Sequence, residues 1–324
     1  MTFQRLVLSI FCLVGCLLQA PMAAAQAFPG KPVKIVVPFG AGGVADLTAR
    51  IVAQKLSESL GQPVVVDNRP GAGGVVAGDM VAKSEPDGHT LLLMSNATAV
   101  SAGLFKSLPF DAVRDFTPVS TLGFFDIAII TPADSKFKTL GELLAFAKAN
   151  PGKLNLGSIN IGSTQNLVAE LFKTSAGADM QIVPFNGTPA VITALRGGQI
   201  DAAVEILGPV LPQIRVNALR ALSVTGVKRA AVLPDVPTAK EGGLPTFVAS
   251  SWNALAAPAK TPAAVIARLN KEIAAALDSP DVRKKLADLN VEARASSSEQ
   301  AAELLASETK RWGEVITRAK IQAQ

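Results

Sequence analysis

Residues suited to binding an anion are concentrated in one stretch, residues 34–50, which reads KIVVPFGAGGVADLTAR. Its β-branched residues 35–37 predict a buried strand, and the glycines after Pro38 predict a sharp turn. The helical spacing around and after Asp46 places a helix N-terminus directly behind this turn. Because the unpaired amides and the dipole of a helix N-terminus point the same way, the stretch is suited to an anion. A tight strand-to-helix turn that binds nothing is an equally good interpretation of this motif alone.

Four further loops place glycine and short polar residues after predicted strands, at residues 70–74, 95–98, 162–165 and 186–188. In parallel α/β sheets ligands bind at the carboxyl ends of the strands, so we expect these loops to meet at one cleft. Backbone amides and hydroxyls there can hold a carboxylate through charge-assisted hydrogen bonds, without a buried cation. The candidate ligand-binding residues, in these loops or next to them, are Phe39, Gly40, Ala41, Gly42, Gly43, Asp46, Gly71, Ala72, Gly73, Ser95, Asn96, Thr98, Gly162, Ser163, Thr164, Gln165, Asn166, Phe185, Asn186 and Glu205.

Five of these candidates also have simpler interpretations. Ser163 and Thr164 fit the N-cap of a helix, and Phe185 fits the core at a strand end. Asp46 suits the positive end of a helix dipole, or contact with an anionic ligand through a bridging water. Glu205 either meets an amino group or cation of the ligand or is a solvated loop acid. The five loops taken together favour binding over these separate structural roles.

The first 25 residues predict a signal peptide, so we expect an exported, periplasmic protein. An apolar run is followed by small residues at 23–25, and we place cleavage after Ala25, with Ala27 as the alternative. Because Cys12 and Cys16 both lie in this leader, the mature protein contains no cysteine. The residues that end at Cys16 also resemble a lipobox, so a lipid anchor at that residue is the less favoured alternative.

The residue inventory excludes most catalytic chemistry. The chain has one histidine, His89, and no tyrosine. A Ser-His-Asp triad would need His89, which falls in a predicted turn, and metal sites built on Cys or His need more such residues than the mature chain has. No phosphate-binding Gly-Lys-Ser/Thr motif occurs, and residues 162–165 lack the second glycine of a nucleophile elbow. We therefore expect no catalytic residue, no metal and no cofactor, with a secreted α/β hydrolase as a remaining alternative.

Composition and the order of predicted elements indicate a two-domain α/β protein. Hydrophobic residues make up 49% and charged residues 18% of the chain, which excludes a disordered protein. A net charge of +5 with scattered Lys and Arg predicts no nucleic-acid partner. Alternating strands and helices predict mostly parallel sheets, and their order repeats past the middle of the chain. We predict domains at residues 26–124 plus 250–324 and at residues 125–249, with a cleft between the two lobes.

The motifs resemble, in order along essentially the whole mature chain, those of the Bug family, the solute receptors of tripartite tricarboxylate transporters in Gram-negative bacteria. The residues that carry the resemblance are VVPFGAGG at 36–43 with Asp46, VDNRPGAGG at 66–74, PDGHTLL at 86–92, Gly162-Ser163 with Asn166-Leu167, VPF at 183–185, GGQID at 197–201, PDVPT at 234–238, SWN at 251–253 and Arg311-Trp312.

This resemblance implies a type II-like periplasmic binding protein whose two domains close on a ligand like a Venus flytrap. It implies that residues 39–46 and 162–166 hold a small carboxylate, partly through ordered water. It further implies a monomer that is not an enzyme and that delivers its ligand to two membrane subunits. Some members act instead as co-receptors for a membrane signalling protein such as a sensor kinase, and that role is the alternative.

Two positions depart from the family pattern. Asn166 occupies a position that is often His in the family. Asn186 occupies a position that is usually Lys, directly after an aromatic residue. Because two groups that could carry positive charge are missing, we expect a mono- or dicarboxylate rather than a tricarboxylate. An amine on the ligand is the further expectation if Glu205 faces the cleft.

Overall fold

The structure is a computed structural model that describes residues 28–319. The predicted signal peptide, its cleavage site and both cysteines therefore lie outside the described residues. The strands are β1 Val33–Val37, β2 Val64–Asn68, β3 Thr90–Met94, β4 Phe116–Pro132, β5 Asn155–Ile159, β6 Gln181–Phe185, β7 Ala202–Ile206, β8 Leu219–Val224, β9 Ser250–Pro258 and β10 Val291–Ala293. The helices are α1 Val44–Leu60, α2 Val75–Ala82, α3 Asn96–Leu104, α4 Leu140–Ala149, α5 Thr164–Ala176, α6 Thr188–Arg196, α7 Leu207–Arg215, α8 Ala263–Asp278, α9 Pro280–Asp288 and α10 Ser298–Ala319.

The strands join side by side in the order β2-β1-β3-β9-β4-β7-β5-β6, and β8 and β10 both pair with β4. Strand β1 is parallel to β2 and β3, and β5 is parallel to β6 and β7. The sequence-based prediction of mostly parallel sheets is therefore correct for these outer strands. Around β4 and β9 the pairing is antiparallel, so the complete sheet is mixed.

Strand β4 belongs to two halves of this sheet. Its residues 116–126 pair with β9, and its residues 127–132 pair with β7 and β8. We call the sheet around β1, β3 and β9 the first half and the sheet around β5, β6 and β7 the second half. Thr225 lies where the chain crosses between them, because its hydroxyl donates to the carbonyls of Ile127, in β4, and of Ala249, just before β9.

Strands and helices follow from the sequence where the apolar spacing is regular. Strand β1 is buried along most of its length, as its β-branched sequence predicts. Helix α1 packs Val52, Leu56 and Leu60, which recur at helical spacing, against the sheet. Helix α4 begins with a capping box between Thr139 and Glu142. The sequence pattern predicts helices at residues 140–149 and 298–319, and the observed α4 and α10 have these bounds.

Two elements correct the sequence analysis. Residues 95–98, expected as a polar loop, are the N-cap and first turn of α3, because Ser95 and Thr98 form a capping box. Helix α7 was not predicted, since it contains Pro209 and Pro212. Pro209 lies in its first turn, where the missing amide would have no intrahelical partner. No helix within residues 28–319 combines the length and apolar content needed to cross a bilayer.

Candidate functional site

A small cavity lies where loops from the two halves of the sheet meet. Its volume is about 20 Å³, which is room for about one water molecule. The first half contributes the loop after β1 and polar residues of β9, and the second half contributes the loops after β5 and β6 and the end of β7. The lining residues are Phe39, Gly40, Gly43, Val44, Ala45, Ser95, Phe125, Ile159, Thr164, Gln165, Gly187, Thr188, Ile206, Ser251 and Asn253.

The N-termini of four helices line this cavity. Val44 and Ala45 open α1, and Ser95 is the N-cap of α3. Thr164 opens α5 and Thr188 opens α6. The amides of a first helical turn have no intrahelical carbonyl, and the helix dipole adds partial positive charge there. As far as residues 28–319 describe it, the lining contains no Lys, Arg or His, so helix ends supply the attraction for an anion.

The loop before α1 is held by Asp46, which lies in the first turn of that helix and is buried. Its carboxylate accepts the amide of Gly42 at 3.0 Å and Nε of Arg50 at 2.9 Å. Arg50 also donates to Asn68, whose side-chain amide donates to the carbonyl of Phe39. Burial acts to raise the pKa of Asp46, but the hydrogen bonds from Arg50 and Gly42 outweigh it and lower the pKa below its ordinary value. Asp46 therefore holds the loop from behind, and it is not among the residues that line the cavity.

The loop before α5 is held in a similar way by Asn166. Its side-chain oxygen accepts the amide of Gly162 at 3.2 Å, and its nitrogen donates to the hydroxyl of Ser158 at 3.2 Å. Ser163 caps the helix by accepting the amide of Asn166 at 3.1 Å, so its interpretation as an N-cap is confirmed. The hydroxyl of Thr164 lies 3.2 Å from that of Ser251, on β9 in the first half of the sheet.

Glu205 is fully buried in β7, so its interpretation as a solvated loop acid is wrong. Its Oε2 accepts three hydrogen bonds, from Nε2 of Gln165 at 3.3 Å, from the hydroxyl of Thr188 at 3.0 Å and from the amide of Ile206 at 3.3 Å. All three donors belong to residues that line the cavity, whereas Glu205 itself is not among the lining residues. Its Oε1 has no hydrogen-bond partner among the described residues. Burial raises the pKa of Glu205 to about 7, although the three hydrogen bonds partly oppose this effect.

Asn253 lines the cavity and was not among the sequence candidates. Both side-chain polar atoms are buried, and within residues 28–319 neither has a hydrogen-bond partner. Ser251 and Asn253 are two residues apart on β9, so they point to the same face of the strand. This alternation of polar residues in an apolar strand was the signal that could have identified them.

Six of the predicted binding residues line the cavity, and the others take positions around it. The six are Phe39, Gly40, Gly43, Ser95, Thr164 and Gln165. Gly73 and Thr98 line a separate cavity of about 10 Å³ between the first-half strands and α3. Gly71 precedes the short 3₁₀ turn Ala72–Gly74. Asn96 donates to the carbonyl of Ser250 at 3.0 Å, which ties α3 to the start of β9.

The remaining candidates lie at the outer edge of the loops. Ala41 and Gly42 form the tip of the loop after β1, and the side chains of Asn160 and Asn186 bond to each other at 3.1 Å. Phe185 is partly buried and packs against the core, so its interpretation as a core residue is confirmed. His89 lies in a turn, 3.2 Å from Asp87 and against the ring of Phe28, and it is not part of the cavity. In the described part of the chain no three His, Cys, Asp or Glu residues cluster as metal ligands would.

Known proteins match this chain along most of its length. Residues 48–321 match a family described as the tripartite tricarboxylate transporter family receptor. The chain is 37% identical over 326 residues to BugT of Bordetella pertussis, an alignment that covers 99% of this chain and 100% of BugT.

Solved structures show the same fold. R. palustris Rpa4515 with adipate superposes with a TM-score of 0.88 at 31% identity, covering 92% of this chain and 100% of Rpa4515. MatC (Rpa3494) from Rhodopseudomonas palustris with bound malate superposes with a TM-score of 0.85 at 34% identity, covering 89% of this chain and 100% of MatC.

Proposed function

The chain belongs to the tripartite tricarboxylate transporter receptor family, and from this premise we propose that it captures a small mono- or dicarboxylate in the periplasm. The family consists of solute-binding receptors with the periplasmic-binding-protein fold. The protein would then deliver its ligand, as a monomer and without catalysis, to the two membrane subunits of a tripartite transporter. The cavity lined by four helix N-termini is the proposed ligand site.

The observation that carries this proposal is the meeting of helices α1, α3, α5 and α6 at one cavity, whose lining in the described part of the chain holds no cation. A carboxylate bound there accepts hydrogen bonds from first-turn amides, which are strengthened by its charge and by the exclusion of water. Asn253 supports the same interpretation, because a buried amide without partners is costly and a polar ligand would satisfy it.

The preference for one or two carboxylates follows from charge. Helix N-termini each contribute roughly half an elementary charge, and no ionised Lys or Arg stands in the described lining to balance a third carboxylate. The relatives bound to adipate and malate carry dicarboxylates, which is consistent with this limit.

Ligand entry requires the cavity walls to separate. A volume of about 20 Å³ has room for a water molecule but not for a dicarboxylate. Since residues of both halves line the cavity, we assign residues 26–124 plus 250–324 and residues 125–249 as domains that open and close around it. The bend would fall where the chain crosses between halves, at Asp126 and Ile127 in β4 and at Ala249.

A thermal-shift and calorimetry screen against mono-, di- and tricarboxylates tests the proposal, with protein that has been unfolded and refolded to remove retained ligand. A binding acid at about 100 times its Kd stabilises the folded state by about 2.7 kcal/mol, which raises the melting temperature clearly. We expect such a shift with at least one mono- or dicarboxylate. If no carboxylate shifts the refolded protein, the proposal is wrong.

The substitution Gly43→Val tests whether the ligand binds in this cavity. Gly43 has a negative φ, and an added Cβ meets nothing closer than 3.9 Å, so the side chain enters the cavity without backbone strain. We expect loss of carboxylate binding, while the melting temperature without ligand falls only by the few degrees expected for a poorer N-cap. Gly313→Val is the matched control, because an added Cβ there has no neighbour within 4 Å and the residue lies outside the cavity lining. Retained binding in Gly43→Val would contradict this site.

A further inference from the structure

A second and larger cavity lies where the chain crosses between the two halves, and we call it the rear groove. Residues 226–232 form its wall in the second half, and Ala287 with residues 290–292 forms its wall in the first half. Asp126, at the proposed bend in β4, lines it as well. The rear groove is therefore built across the proposed hinge.

The rear groove and the proposed ligand cavity lie on opposite faces of the crossing strands. In β9, Ser251 lines the cavity, and its neighbour Ser250 lines the groove. In β4, Phe124 and Asp126 line the groove, whereas Phe125 between them lines both spaces. Because successive side chains of a strand point to opposite faces of the sheet, the crossing strands separate the two spaces. A rotation about these strands that brings the cavity walls together therefore moves the groove walls apart.

The volumes of the two spaces agree with this reciprocal movement. The ligand cavity has closed to about 20 Å³, while the rear groove has a volume of about 600 Å³. The second volume is within the ordinary range of small-molecule pockets, so the groove has room for a large side chain. In an open form, with the cavity wide enough to admit a dicarboxylate, the groove would be narrower.

Both walls of the rear groove are held by side-chain hydrogen bonds. In the second-half wall, Arg229 donates to both carboxylate oxygens of Glu241, at 3.2 and 3.1 Å, and to the carbonyl of Pro234 at 3.1 Å. In the first-half wall, Asn290 donates to Asp126 at 3.0 Å. A bulky group placed between the walls therefore meets bonded chain on both sides, and the halves must move to relieve it.

We propose that the rear groove sets the equilibrium between the open and closed forms, and with it the affinity of the proposed ligand site. The inference rests on the proposed function, because it requires that the two halves open and close around the cavity. A group that fills the groove fits the closed form and is crowded in the open form. Filling the groove therefore favours closure, at a distance from the ligand.

The effect on affinity is the same for every ligand. A ligand that both halves enclose binds the closed form, so its apparent Kd is the intrinsic Kd divided by the closed fraction. A change that raises a small closed fraction by some factor, without touching the ligand, lowers the apparent Kd of every ligand by that factor. A change in the cavity lining instead alters different acids by different factors.

The substitutions Ala231→Trp and Ala287→Trp test the inference, one on each wall of the groove. Both alanines are exposed and line the groove, so the added ring displaces no core residue. By calorimetry we expect each acid that binds the unmodified protein to bind about three- to tenfold more tightly, by one common factor. By small-angle X-ray scattering we expect the radius of gyration of the refolded, ligand-free variants to fall towards that of the liganded protein. Ala302→Trp is the matched control, because Ala302 is an exposed helical alanine outside the groove lining.

Two results would overturn the inference. One is unchanged or weaker binding in both folded variants, and the other is a changed ratio between the Kd values of two acids. Melting without ligand shows that each variant is folded, and the two positions lie in separate elements. Scattering keeps the tests apart: ligand-free variants as extended as the unmodified protein would also overturn the inference. Failure of every carboxylate to bind the unmodified protein would instead contradict the proposed function.

Discussion

The loops before α1 and α5, one in each half of the molecule, are held by the same hydrogen-bond pattern but by different acceptor groups. In each loop a glycine with positive φ, Gly42 or Gly162, donates its amide to a side chain four residues later. That side chain is the carboxylate of Asp46 in the first loop and the amide of Asn166 in the second. Both side chains lie in the first turn of the helix that they hold, so both fix an N-terminus that lines the cavity.

The difference follows from whether a cation reaches the side chain that holds each loop. Asp46 pairs with Arg50, whose side chain is 51% exposed, so its charge is compensated at the protein surface. Asn166 instead donates to Ser158, which is fully buried, and no cation among residues 28–319 bonds to Asn166. A buried loop can use a carboxylate only where a cation reaches it, and elsewhere a neutral amide makes the same bond without a charge penalty. Asn166 therefore supports the loop structurally, at a position that the sequence suggested as a candidate ligand-binding residue.

The largest change in stability is expected when the carboxylate of the first loop is introduced into the second loop. Asn166→Asp places a buried carboxylate where no cation compensates it, so we expect a loss of about 3 kcal/mol in the free energy of unfolding at neutral pH. Since the introduced carboxyl is most easily tolerated when protonated, the loss should shrink as pH falls. Urea denaturation at pH 5 and pH 8 measures it, and a loss below about 1 kcal/mol at pH 8 would show that the loop accommodates charge.

A smaller effect should separate the two glycines. Gly162→Ala adds a Cβ at positive φ and places it 2.9 Å from Leu104, whereas the Cβ of Gly42→Ala lies 3.5 Å from Pro189, an ordinary contact. Both substitutions cost about 1–2 kcal/mol in backbone strain, and Gly162→Ala costs about 1 kcal/mol more through overpacking. Chemical denaturation of the pair gives the comparison directly. Equal losses would mean that the packing around Gly162 relaxes freely.

The smallest change in stability is expected when the neutral amide of the second loop is introduced into the first loop. Asp46→Asn keeps an acceptor for Gly42 but removes the ion pair with the exposed Arg50, so we expect a loss of about 0.5–1 kcal/mol at pH 7. The folded-state pKa of Asp46 is lowered below 3.8, so its contribution is present above pH 3.8 and disappears as pH falls through the folded pKa. The stability difference between the two proteins should therefore shrink as pH falls below 3.8. A difference as large at pH 2.5 as at pH 7 would contradict the role of the charge.

Local pattern predicted much of this fold and part of the site. The sequence pattern identified helices such as α4 and α10, and glycine after a buried strand identified the loop before α1. The pattern failed at α7, where prolines usually end a helix, and at residues 95–98, where capping residues were interpreted as a loop.

The site residues that the sequence could not place are those whose surroundings come from distant parts of the chain. Glu205 is buried in β7, between β4 and β5, and its carboxyl accepts bonds from Gln165 and Thr188, which belong to two helices. An acid within an apolar strand carries no local signal for such partners, and solvation is the ordinary expectation for it. Asn253 faces the cavity only because β9 runs antiparallel beside β3 and β4, which is a property of the sheet and not of the strand.

The central claim is that helix N-termini from both halves hold a carboxylate in one cavity, and a crystal structure of the refolded protein with its tightest-binding acid tests it most directly. We predict carboxylate oxygens within hydrogen-bond distance of first-turn amides of α1, at Val44 or Ala45, and of α5, at Thr164 or Gln165. We also predict that the halves enclose the ligand. An acid bound elsewhere, or held by exposed Lys or Arg side chains with these amides free, would contradict the account.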